Sequence, residues 1–150
     1  MNQQDGIGRA LAPAKMVAAA IVASLIIYLA LVEILKATLR PFRGFALGVD
    51  MPIVRYAAYG AGAAVVLLIL ILRPRLFRRR AGEDTPASLL RLQKAAIVTM
   101  VLGEVPAIIG LVLFLVGGAA GDFYRLLFVS IVLVFIHFPR RGAWEESMKG

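Results

Sequence analysis

Between Lys94 and Asp122 the chain carries a single charged residue, Glu104, inside an otherwise apolar run rich in Val, Leu, Ile, Ala and Gly. A run this long and this apolar crosses a bilayer. Hydrocarbon offers no hydrogen bonds, so the backbone of such a segment must satisfy itself, which makes the run helical. A carboxyl group at bilayer depth costs about 2.5–3.5 kcal/mol on insertion scales. A bound proton, a cation, a basic partner or a buried polar contact must offset that cost. Glu104 is therefore the first residue to consider for function.

The rest of the composition agrees with a membrane environment. The 150 residues are 61% hydrophobic and 17% charged, with mean hydropathy +0.85, against about 45–50% apolar and 25% charged for soluble domains. Absence of cysteine excludes disulfides and thiolate metal sites, and one histidine, His137, leaves no multi-histidine site. No nucleophile–base pair or phosphate-binding glycine loop is present, so neither an enzyme, a cofactor nor a metal centre is expected. The pI near 10.6 could point to nucleic acid. The basic residues instead cluster beside the apolar runs, where membrane topology places them, so the expected partner is the lipid bilayer.

The expected fold is all-α: one integral membrane domain over residues 1–150, a four-helix bundle with spans at about 14–35, 53–72, 92–118 and 123–138. A helix needs roughly 20 residues to span. The fourth reaches across only if Arg125 snorkels outward and His137 sits in the interface. Twelve Lys and Arg residues fall on the side of the termini and the basic loop 73–91, and five fall on the other: Lys36, Arg40, Arg43, Arg55 and Arg125. The positive-inside rule then places both termini in the cytoplasm, with a bacterial inner membrane as the expected location. The first run is longer than a signal-peptide core and lacks a small-residue cleavage site, so no cleavable signal is expected.

The segment from Lys36 to Arg55 mixes Pro41, Gly44, Gly48 and Pro52 with Phe42, Phe45 and Met51. It reads equally well as a headgroup-level segment with basic side chains on phosphates or as an ordinary loop. Asp84-Thr85-Pro86 suits the start of the third helix. Small residues mark helix contacts: Ala19 with Ala23 and Ala20 with Ser24, then Ala57 with Ala61 and Gly60 with Ala64. In the third span Gly103, Gly110 and Gly117 recur every seven residues on one stripe, turned well away from Glu104.

Pro106 has no N–H, so the carbonyl of Leu102 loses its partner half a turn before Glu104. A carboxyl group beside a freed carbonyl forms a proton or cation site, or holds one water. The run Glu104-Val-Pro106-Ala107-Ile108-Ile-Gly110-Leu111-Val112 resembles the ion-binding helix of the rotary ATPase proteolipid, the c subunit. The resemblance implies that Glu104 alternately binds and releases an ion, with the preceding loop in the cytoplasm. It covers one helix. The family's partner helix carries a long glycine repeat, where the second span here has Gly60 and Gly62.

Elsewhere, Glu33 with Lys36 and Asp122 with Arg125 read as local ion pairs. His137 reads as interfacial, and Trp144 as part of an amphipathic tail. The expected function is non-enzymatic: Glu104 binds a proton or cation, in a monomer or a homo-oligomer. The alternative is an accessory or scaffold subunit of a larger membrane complex, with Glu104 paired to a partner.

Overall fold

The computed structural model describes residues 3–46, 48, 50–77 and 85–138. It holds four helices: α1 Gln3–Thr38, α2 Met51–Phe77, α3 Thr85–Gly117 and α4 Ala120–His137. All four are long and apolar enough to cross a membrane. The chain is thus an all-helical, multi-pass membrane protein.

The helices outrun the apolar runs at several ends. α1 begins at Gln3, ahead of the apolar boundary near Ala14, and continues through Pro13. Much of the expected loop 73–91 is helical, since α2 runs to Phe77 and α3 starts at Thr85; residues 78–84 and the tail with Trp144 lie outside the described residues. Hydropathy marks where lipid ends, whereas a helix ends where its packing and hydrogen bonds end. Here Leu89, Leu92 and Ala96 of α3 bury against Leu11 and Ala14 of α1, which holds both helices together beyond the apolar core. Pro52 and Pro86 stand second in α2 and α3, where a missing N–H costs nothing.

α3 is the central element and packs against all three others. α1 meets it along Leu11, Ala14, Ala18, Ile21, Leu25, Tyr28, Val32 and Leu35, all buried or half-buried. Their alternating three- and four-residue spacing is the repeat that left-handed helix seams use. The small residues expected to mark contacts lie elsewhere. Ala19, Ala20 and Ala23 are exposed, and so are Ala57, Gly60, Ala61 and Ala64 of α2. Ser24 turns back to the carbonyl of Ala20 at 3.1 Å. Four-residue spacing alone cannot say which face of an all-apolar helix is inward: the seam takes Ala14 and Ala18 while Ile26, Ile27 and Ile34 stay exposed, because in lipid close packing against neighbouring helices selects the face rather than hydrophobicity.

The segment after α1 docks on the end of α3. Phe45 N–H donates to Leu115 O at 2.8 Å and Ala46 N–H to Val116 O at 3.2 Å, while Gly118 N–H reaches Phe114 O at 2.7 Å. These carbonyls are among the last four of α3, which no helical N–H can satisfy. Phe42 packs on Phe114 with ring centroids 4.8 Å apart, and Phe114 on Phe123 at 6.5 Å. Two glycines permit this closeness. Gly44 (φ +86°) has its open face on Val116 O, and a Cβ on Gly118 (φ +68°) would lie 2.6 Å from Phe42 O. Positive φ and backbone contact both require glycine there.

Candidate functional site

α3 stays helical through Pro106, which is buried. Two residues earlier Glu104 points to α1, where Tyr28 Oη donates to its Oε1 at 2.8 Å. Tyr28 belongs to the packed seam of α1, so its ring is held on the side of α1 that faces α3. Both side chains are half-buried. Glu104 lies about 20 Å along the axis from Gly117 at 1.5 Å per residue, near the middle of the span-length stretch Ala87–Gly117. Among the described residues, Tyr28 is the one side-chain hydrogen-bond partner of the carboxyl, and no Lys, Arg or His pairs with it.

The other side of this level is closed by α4. The N–H of Ala107 donates to Ser130 Oγ at 2.8 Å, and that hydroxyl in turn reaches Glu104 O at 3.5 Å. Ser130 is fully buried. The proline step thus meets a hydroxyl from α4 that both accepts from and donates to the backbone of α3. Leu102, whose carbonyl the proline leaves without a helical donor, is half-buried on the same turn. Gly103 and Gly110 turn towards α4: a Cβ on Gly103 would be 3.6 Å from Leu133 and Val134, and one on Gly110 would be 3.0 Å from Leu126 Cβ and 3.2 Å from the Phe123 backbone. Gly117 faces the Met51 side chain of α2. The glycine stripe and the carboxyl therefore serve different neighbours.

Two further polar clusters sit where α1 ends, α2 begins and α3 turns into α4. Asp122 is buried, at 5% side-chain exposure, and accepts from Arg55 Nε at 2.6 Å, Tyr59 Oη at 2.9 Å and an Arg125 guanidinium nitrogen at 3.2 Å. The expected Asp122–Arg125 pair is present, and α2 adds two more donors. Nearby, Lys36 Nζ lies 3.2 Å from Glu33 and 2.6 Å from Tyr124 Oη, which also bonds Glu33. His137, the last residue of α4, contacts Leu133 O at 2.7 Å.

Sequence reasoning picks out Glu104 and Pro106 but not their partners. Tyr28 and Ser130 are remote in sequence and ordinary in type. A usable signal exists for each: Tyr28 is the one hydroxyl-bearing residue on the three–four seam of α1, and Ser130 is the one polar residue between Arg125 and His137. Arg55 and Tyr59 stand four apart on one face of α2. No group of three or more metal-ligating side chains occurs among the described residues. No protein-family model, curated protein or solved structure matches the chain.

Proposed function

We propose that the protein is a non-enzymatic membrane bundle whose Glu104 carboxyl binds a proton at bilayer depth, with Tyr28 as its hydrogen-bond partner. The observation that carries this reading is the 2.8 Å contact from Tyr28 Oη to Glu104 Oε1, made without a basic side chain. A neutral donor leaves the charge of a carboxylate uncompensated in hydrocarbon, and a proton removes that charge. A metal cation fits less well, since one carboxyl and one phenol supply too few ligands for Ca²⁺ or Mg²⁺. The resemblance of the Glu104–Val112 run to the proteolipid ion-binding helix points the same way.

The proposed topology has both termini in the cytoplasm of a bacterial inner membrane, supported by the twelve-to-five division of basic residues. Reporter fusions at Gly150 and at Asp50 should then label opposite sides of the membrane.

The site itself is tested with a hydrophobic carbodiimide, which attacks protonated carboxyls in apolar surroundings. Labelling of the full chain in membranes should fall on Glu104, decline as pH is raised, and vanish in Glu104→Gln. An unlabelled parent combined with a Glu104→Gln variant that fails to assemble would replace the proton site with an ionised, paired carboxylate.

The second reading, an accessory subunit of a larger complex, is favoured by one observation. α2 is the least covered of the four helices, and its small residues Ala57, Gly60, Ala61 and Ala64 face outward. Purification in mild detergent separates the two. A proton-binding protein purifies alone or as a homo-oligomer, and an accessory subunit brings other chains in fixed ratio.

A further inference from the structure

The end of the bundle where α3 turns into α4 holds more positive charge than its acids neutralise. Lys36 is matched by Glu33. Asp122 is a single carboxylate shared by two guanidiniums, Arg55 and Arg125. Arg40 and Arg43 of the docked segment stand against Asp50 alone. One positive charge is left over at Asp122 and one on the segment.

The surplus is placed, not scattered. Asp122 is buried and fixes Arg55 through its Nε at 2.6 Å and Arg125 through one terminal nitrogen at 3.2 Å, while the two side chains remain 49% and 73% exposed. Tyr59 Oη, bonded to Asp122, also lies 3.5 Å from Arg125. The backbone hydrogen bonds of Phe45 and Ala46 to α3 bring the Arg43 backbone within 3.0 Å of where a Cβ on Gly118 would stand. The Arg43 backbone thus lies against Gly118, four residues before Asp122 in the chain, with its side chain exposed.

We propose that this end of the bundle binds the phosphate of an anionic phospholipid, with Arg55 and Arg125 as pre-positioned donors and Arg43 completing the site. Guanidinium N–H groups match phosphate oxygens in charge and in forked geometry. Anchoring two of them on one carboxylate reduces the rotamer entropy lost when the anion arrives. A lipid is the occupant because the guanidiniums stand within the first two turns of two span-length helices, where hydrocarbon gives way to headgroups. Tyr56, the residue after Arg55 on α2, is 79% exposed and offers apolar surface for the glycerol and upper acyl chain. The site is independent of Glu104.

The test is native mass spectrometry of the full chain in an uncharged detergent, titrated with dioleoyl phosphatidylglycerol or dioleoyl phosphatidylcholine. The expected result is a phosphatidylglycerol adduct at least about tenfold tighter than phosphatidylcholine, whose choline cation meets the guanidiniums. Arg43→Gln with Arg125→Gln should weaken it at least about tenfold, because Arg55 and Tyr59 still hold Asp122. Arg75→Gln with Lys94→Gln removes the same charge at the opposite end and should change affinity less than about twofold. If the first double variant does not fold, Arg43→Gln alone, which leaves every Asp122 contact in place, should still weaken binding several-fold. Equal losses from both double variants, equal affinity for the two lipids, or displacement of phosphatidylglycerol by equimolar inorganic phosphate would each overturn the proposal.

Discussion

At the residue scale, the hydrogen bond between Tyr28 and Glu104 separates stability from proton binding. Tyr28→Phe removes one interhelical hydrogen bond within the membrane, a class of contact that contributes about 0.6 kcal/mol on average and about 1.7 at most. The expected outcome is a small loss in unfolding free energy in detergent, with Glu104 still labelled by carbodiimide. Ser130→Ala should cost more. It removes two contacts at a fully buried position, one from the N–H of Ala107 at 2.8 Å and one to Glu104 O at 3.5 Å, at about 0.5–1.5 kcal/mol each. Unfolding titrations of both variants, side by side, check the order Ser130→Ala worse than Tyr28→Phe.

At the element scale, the glycines of α3 are not equivalent despite their even spacing. A methyl group on Gly110 would press on Leu126 Cβ at 3.0 Å and on the Phe123 backbone at 3.2 Å, atoms that cannot swing aside. On Gly103 it would meet Leu133 and Val134 at ordinary contact distance, 3.6 Å. Gly110→Ala should therefore destabilise the α3–α4 pair by about 1–3 kcal/mol through overpacking. Gly103→Ala should be close to neutral, since it also removes a glycine from a helix interior. Equal melting temperatures for the two variants would show that α4 is free to move away from Gly110.

At the scale of the whole molecule, α2 is the least covered of the four helices. It meets α4 where Gly62 lies against Leu126, 3.4 Å from the place of a glycine Cβ, and where Arg55 and Tyr59 reach Asp122. The chain has no cysteine, so a pair introduced at Gly62 and Leu126 reports this contact without background. Cross-linking in membranes should be efficient in the parent background and fall when Asp122→Ala is added, because the ties of Arg55 and Tyr59 to Asp122 are then lost. An unchanged yield would assign the position of α2 to its apolar packing on α3 alone.

The four spans, the helical class and the prominence of Glu104 and Pro106 were legible in the sequence. They depend on local quantities: the length of an apolar run, the cost of a carboxyl in hydrocarbon, the N–H that proline lacks. The pairs Glu33–Lys36 and Asp122–Arg125 were legible for the same reason, being three residues apart on one helix. Tertiary structure alone decided which face of each apolar helix turns inward. α1 buries its Leu11-to-Leu35 seam and exposes Ala19 and Ala23, because in helices apolar all round hydropathy is nearly uniform and contact area with neighbours selects the face. Tertiary structure likewise chose Tyr28 for Glu104, Ser130 for the proline step, and Arg55 with Tyr59 for Asp122. Each partner is more than twenty residues from the group it satisfies, and its side-chain type is common. Only the docking of one helix on another brings the donor and acceptor within 3 Å.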